Sequence, residues 1–382
     1  MKLKVLSAGK INSNMVKPQN IEVSAAIINH IGIHEYYDHL APLSEIIDVP
    51  IVIVDDPTAL DLCHKFYPST KITEIEYRQY TAKYLVTNYD LLIFSSHVQD
   101  EHQYFAVQEE QQKKRLYKAF CPHGFSDKTY YWQKYVDKDL TFIYGQNMLD
   151  LFEEINTPLS ADKYILIGNY RYEYYKKHRE HQMKLTQEEI GKNLAMDRKT
   201  LFYAPTWPDY YDASTFFESI DVVIRNMPDS FNLIIKAHPR LIHEFTEQYY
   251  QSIFKYRDHE QVAFIEEFPL IFPLLELSDF YLGDMSSIGY DFLTFDKPMF
   301  FINKEREMHH PGRETFLYRC GTSIDPKNLK NLFSIIDREV KNDKDKFSKI
   351  RPEVYSYTFG SPLTSDSVKA SFEEKITNWL QN

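Results

Sequence analysis

Two adjacent serines, Ser286 and Ser287, sit in the stretch of this chain best equipped for chemistry, Asp284-Met-Ser-Ser-Ile-Gly-Tyr-Asp291. Apolar runs from Phe280 to Gly283 and from Pro298 to Ile302 flank it. That order reads as a buried strand, a polar elbow, an apolar-faced helix and a second buried strand. Serine hydroxyls beside helix N–H groups that lack intrahelical partners make a seat for an anion, and the helix dipole favours negative charge there. Helix capping by either serine is the plainer alternative. Asp284 is a candidate to orient the serine hydroxyls or the nearby histidine, and Asp291 falls about a turn and a half into the helix.

Three more polar elbows close apolar runs. In Cys121-Pro-His-Gly-Phe-Ser-Asp-Lys128, His123 stands on a sharp turn after a strand, and imidazole is the side chain best suited to take a proton near neutrality. Tyr203-Ala-Pro-Thr-Trp-Pro208 offers the Thr206 hydroxyl and the Trp207 ring on a turn stiffened by proline. Lys236-Ala-His-Pro-Arg240 gathers Lys236, His238 and Arg240 at a strand end, donors of the kind a departing phosphoryl oxygen needs. Taken singly, each is also an ordinary surface loop.

Other polar residues are candidates for the acceptor side of such a site: His34 and His39, which flank Glu35-Tyr-Tyr-Asp38, then His97, Asp127 and Lys128. The histidine spacings resemble no zinc site, and His309-His310 reads as a loop. No cofactor is demanded by the sequence; a divalent cation shared by Asp284 and phosphate oxygens is the alternative to histidines and helix N-termini alone. The chain has no G-x-G-x-x-G, no Walker sequence and no G-x-S-x-G, which counts against dinucleotide oxidoreductases, P-loop enzymes and serine hydrolases.

The elements that must hold these elbows alternate along the chain. Strands are expected at Pro50 to Val54, Leu91 to Ser95, Tyr117 to Cys121, Leu140 to Tyr144 and Tyr164 to Ile167. A second series covers Thr200 to Ala204, Phe231 to Lys236, Val262 to Ile265, Phe280 to Gly283 and Pro298 to Ile302. Helical patterns such as Glu35 to Ile47 and Gln99 to Gln112 lie between them, so βαβ units and largely parallel sheets are expected. The charged, tyrosine-rich stretch from Tyr170 to Arg198 breaks the rhythm and reads as an interdomain connection, with a helix start at Thr186-Gln-Glu-Glu. It is either a solvated charged helix or a surface for anionic lipid or a phosphate-rich acceptor. An irregular piece follows Pro352, and a final helix runs from about Ser365 to Leu380.

The 382 residues suit two domains, and 43% hydrophobic with 26% charged residues is the composition of a globular protein. A net charge of -11 counts against broad nucleic-acid binding. Three cysteines without metal-like spacing point to reduced thiols and a cytoplasmic setting. There is no signal-peptide pattern and no run of about 18 apolar residues to span a bilayer.

In order, the four elbows resemble the CDP-glycerol glycerophosphotransferase family, which includes teichoic-acid primases, polymerases and capsule-synthesis relatives. His123-Gly124, Tyr203-Ala-Pro-Thr-Trp207, Lys236-Ala-His-Pro239 and above all Asp284-Met-Ser-Ser-Ile-Gly-Tyr-Asp291 with Asp296-Lys-Pro298 carry the resemblance. Gly168-Asn-Tyr-Arg171 adds to it, without the family's proline. The resemblance implies an α/β, GT-B-like fold: two Rossmann-like domains facing across a cleft, with a C-terminal helix crossing back. The expected boundaries are 1–170 for the acceptor side, 171–198 for the connection, 199–360 for the nucleotide side and 361–382 for the returning helix. It further implies transfer of a polyol phosphate from CDP-glycerol, or a related CDP-polyol, to an envelope-polymer hydroxyl, with CMP released. His123 becomes the base and His238 the contact that stabilises the leaving CMP. Ser286 and Ser287 seat the phosphates and Thr206 adds a donor, while Asp291 matches a family aspartate of open role. The implied acceptor is lipid-linked or an oligosaccharide, with peripheral contact at the inner face of the membrane. A UDP-sugar glycosyltransferase or epimerase is the rival reading, and a non-catalytic nucleotide-binding scaffold is a third.

Overall fold

The computed structural model describes the chain except residues 1, 7–19, 30–31, 96–100, 130–131, 133–136, 192–193, 196, 210–211, 213, 305–312, 314 and 382. It divides into two compact units. The first comprises Met1–His123, Tyr131–Tyr174 and Phe359–Asn382, and the second Gly124–Tyr130 and Tyr175–Thr358.

The first unit is built on an eight-stranded sheet. Its strands are β1 (Lys2–Leu6), β2 (Asn20–Ile28), β3 (Ile51–Val54), β4 (Ile72–Ile75), β5 (Leu91–Phe94), β6 (Tyr117–Phe120), β7 (Leu140–Ile143) and β8 (Tyr164–Leu166). The order is β4-β3-β2-β5-β6-β7-β8, all parallel, with β1 pairing antiparallel to β2. Continuous apolar runs such as Ile-Val-Ile-Val in β3 and Leu-Leu-Ile-Phe in β5 are buried throughout, as strands covered on both faces require. The helix Ser365–Gln381 closes on this unit: Phe372 stacks on Phe142, and Trp379 on Tyr117.

The second unit holds β9 (Lys199–Ala204), β10 (Phe231–Ile235), β11 (Val262–Phe264), β12 (Phe280–Gly283), β13 (Met299–Ile302) and β14 (Thr322–Ile324). All pairings are parallel, in the order β11-β10-β9-β12-β13-β14. This is the doubly wound Rossmann order, and it reverses between β9 and β12. In the first unit the order reverses between β2 and β5. Ligands of such sheets bind beyond the carboxyl ends of strands at this switch point.

Several expectations need correction. β1, β2, β4 and β14 were not legible as strands: β2 carries the small residues Ser24-Ala25-Ala26, and β4 is a short edge strand only partly buried. Thr186 starts no helix. It lies inside the helix Tyr170–Glu189, where its hydroxyl donates to the Gln182 carbonyl at 2.8 Å. The true start is set upstream, where Gly168 adopts φ +58° and Asn169 Oδ1 accepts the Tyr172 N–H at 3.3 Å. The piece around Pro352 is helical, Ile350–Phe359, because a proline in the first turn gives up no intrahelical bond. Buried Arg351 anchors it through two bonds to the Asp343 carboxylate, at 2.7 and 2.5 Å, and one to the Cys320 carbonyl at 2.9 Å.

Candidate functional site

In the second unit, β9 and β12 end side by side and release two of the predicted elbows at the switch point. Asp284, the first residue after β12, is fully buried. One carboxylate oxygen accepts the Thr206 N–H at 2.7 Å, and the other accepts the Thr215 N–H at 3.0 Å and hydroxyl at 2.9 Å. It braces the elbow after β9, not the serines. Burial pushes its pKa up to about 6, against the Thr206 and Thr215 donors and the nearby Lys128 charge, which favour the carboxylate.

Lys128, expected on the acceptor side, belongs to this unit. Its buried ammonium donates to Thr206 Oγ1 at 2.7 Å and pairs with Asp209 at 2.6 Å. Asp127 also lies here, taking the Tyr290 hydroxyl on both oxygens at 2.7 and 2.8 Å. Ser126, Asp127, Met285, Ser286, Tyr290, Leu317 and Tyr318 line a small pocket.

The Ser286 backbone N–H turns back to the Asp284 carbonyl at 2.8 Å, which shapes the elbow. Ser287 is the N-cap of the helix Ile288–Phe292, yet its hydroxyl makes no capping bond. That helix is shorter than the sequence implied, five residues continued by a 3-10 turn at Leu293–Phe295. A helix this short contributes little dipole, leaving the hydroxyl and N–H groups as the polar features of the elbow. Asp291 is buried in the same helix. Glycine is required at two places: a Cβ on Gly283 would lie 2.3 Å from the Tyr281 hydroxyl, and one on Gly289 would lie 2.5 Å from Leu317 Cδ2.

After β10, the Lys236 ammonium donates to the Phe268 carbonyl at 3.0 Å. Arg240 lies over the Trp207 ring at 3.9 Å and pairs with Glu244 at 2.6 Å. His238 caps the next helix, accepting the Arg240 N–H on Nδ1 at 3.2 Å. The neutral ring then carries its proton on Nε2, and His238 is set as a donor.

The first unit holds the opposite tautomer. His123 follows β6, with the turn continued by Gly124 at φ +114°. Its Nδ1–H donates to the Ser95 carbonyl, just past β5, at 3.0 Å, which leaves the lone pair on Nε2. Crowding by protein atoms lowers its pKa to about 4, against the Ser95 contact, so the ring is neutral at neutral pH. Tyr36 stacks on it with centroids 4.2 Å apart. His39 stands edge-on at 6.5 Å, and burial, then Arg171 and His123, lower its pKa well below 6.5. Arg171 also binds the Asp38 carboxylate and carbonyl. His34 is drawn aside to Asp56 at 2.9 Å, where Asp56 caps the helix Pro57–Phe66. His97, His309 and His310 lie outside the described residues.

Thus His39 joins His123, and Thr206, Asp284 and Lys128 join one another, while Lys236 bonds to the Phe268 carbonyl and His34 to Asp56. Tyr36 lies in the flagged stretch Glu35 to Asp38, and Ser95 ends an expected strand. Their contacts, like those of Asp209 and Thr215, are with residues distant in the chain and carry no local signature. Tyr290 stands inside the serine motif.

Residues 49–358 match the family described as CDP-Glycerol:Poly(glycerophosphate) glycerophosphotransferase. The chain belongs to this family. Among curated proteins it is similar to the teichoic acid glycerol-phosphate primase of Bacillus spizizenii, 23% identical over 47% of this chain and 44% of that protein. It is also similar to the teichoic acid poly(glycerol phosphate) polymerase of the same organism, 25% identical over 44% of this chain and 43% of that protein. Each match thus spans under half of the relative's length. Among solved structures, the wall teichoic acid polymerase TagF shares the fold, with a TM-score of 0.62 at 12% identity, covering 94% of this chain and 90% of that one. The fold is α/β of the GT-B kind, as the sequence implied.

Proposed function

We propose that this protein is a CDP-polyol phosphotransferase, using CDP-glycerol ahead of CDP-ribitol, in the synthesis of a cell-envelope polymer. The observation that carries the reading is the family match over residues 49–358; within the first unit His123 keeps its lone pair on Nε2, and within the second His238 keeps its proton there. A transfer of this kind needs one base and one donor, and family membership supplies the substrate class.

In the proposed step an acceptor hydroxyl gives its proton to His123 Nε2 as its oxygen attacks the phosphorus nearest the polyol. The bond from that phosphorus to the oxygen bridging to CMP breaks, and its electrons leave with CMP. His238 Nε2–H stabilises the departing charge. Ser286, Ser287 and Thr206 bind phosphate oxygens, and Arg240 and Trp207 border the same half-site. Lys128 holds the Thr206 hydroxyl so that its own proton points away from the ammonium. Positioning and neutralisation of oxygen charge are the main requirements of phosphoryl transfer. The acceptor, lipid-linked or oligosaccharide, is assigned to the His123 half-site. Among the described residues no helix is long and apolar enough to cross a membrane, and contact with a membrane face is proposed as peripheral.

The test is CMP release from CDP-glycerol by the wild type, His123→Ala and His238→Ala, with CDP-glycerol affinity measured beside it. His123→Ala should lose turnover and keep binding. Turnover of UDP-sugars alone would favour the glycosyltransferase or epimerase reading, and binding without any turnover would favour a scaffold.

A further inference from the structure

One residue against His123 has no task in the step above. Tyr36 lays its ring on the imidazole, with planes 21° from parallel and its hydroxyl 3.5 Å from Nε2. That separation is too long for a strong hydrogen bond, whose optimum is about 2.8 Å. It is also a span that one oxygen lying off the line can bridge, within bonding distance of both atoms. Two neighbouring groups have spare capacity: His39 Nδ1 and Ser95 Oγ are buried with no partner among the described residues. Buried polar groups are ordinarily paired. Both belong to residues that touch or face the imidazole, Ser95 through its carbonyl and His39 edge-on, so the surroundings retain polar capacity.

We propose that Tyr36 is an acceptor-positioning residue, its hydroxyl donating to the oxygen that attacks while its ring fixes the plane of His123. The assignment rests on the phosphotransferase reading. The guest atom must give a proton to Nε2 and accept one hydrogen bond from tyrosine. A neutral hydroxyl, as on a polyol, meets both demands, whereas a carboxylate has no proton to give and an ammonium no lone pair to accept with. Tyr36 keeps its own proton throughout; the acceptor's proton ends on His123, the new P–O bond forms and CMP departs.

The experiment follows CMP release at saturating CDP-glycerol with glycerol as the probe acceptor. Tyr36→Phe keeps the stacked ring and loses the hydroxyl, so the glycerol KM should rise about 10-fold with the donor KM unchanged. Tyr36→Leu loses the stack too and should also lower kcat, a split that a merely structural role would not produce. An unchanged glycerol KM in Tyr36→Phe, or a rise in the donor KM instead, overturns the positioning role and leaves the phosphotransferase reading standing. A wild-type rate that glycerol does not raise overturns the polyol assignment. Absence of CMP release by the wild type overturns the underlying reading, and this inference with it.

Discussion

The Asp284 carboxylate takes the Thr206 N–H at 2.7 Å, tying the elbow after β9 to the end of β12 across the point where strand order reverses. The same carboxylate holds Thr215 through its N–H and hydroxyl. Asp284→Ala leaves these buried donors without an acceptor, at about 1–3 kcal/mol each before relaxation. Urea unfolding should show a loss of about 3 kcal/mol, with Asp284→Asn intermediate because one acceptor oxygen remains. Wild-type stability in Asp284→Ala would contradict the bracing role.

The serines behave differently, because the Ser287 hydroxyl is not spent on its helix. Ser286→Ala and Ser287→Ala should each weaken CDP-glycerol binding about 10-fold by calorimetry, with little change in stability. Unchanged affinity in both would remove them from the phosphate seat.

Gly283 makes a steric prediction. Its missing Cβ leaves room for the buried Tyr281 ring, which fills that space to within 2.3 Å. Gly283→Ala should cost about 1–3 kcal/mol by thermal unfolding, since a ring with no exposure has nowhere to move. A melting temperature equal to wild type would show that the ring relocates.

Stability should depend on pH through two groups of opposite sign. His123 is lowered from 6.5 to about 4, so the unfolded chain binds its proton first and stability falls as pH drops through that window. Asp284 is raised from 3.8 to about 6, so its contribution is full below 3.8 and is lost as pH rises through 6. His123→Gln should flatten the rise in stability between pH 4 and 6.5, while Asp284→Asn should steepen the rise between 3.8 and 6. Unfolding free energies measured across that range check both signs, and a reversed slope change in either variant contradicts its assignment.

What the sequence revealed and what it hid follow one physical division. Strand ends such as Leu233-Ile-Ile followed by Lys236-Ala-His238 announce themselves, because a doubly buried strand is apolar and its exit must be polar. Ser286, Ser287, His123 and His238 stand at such exits, which is why they read as candidates. The tasks of Asp284, Lys128 and Lys236 were not, since a buried charge takes whichever partner folding brings near. Asp284 pairs with Thr206, 78 residues away, and Lys128 with Thr206, again 78 away. β2 was missed although it is central in its sheet, because small residues in its middle blur the apolar run.

The most direct measurement is the mass of the product made from CDP-glycerol and a glycolipid or oligosaccharide acceptor. The expected result is CMP in solution and an acceptor heavier by one glycerol phosphate joined through a phosphodiester, absent with His123→Ala. An unmodified acceptor with intact CDP-glycerol, alongside turnover of a UDP-sugar, would contradict it.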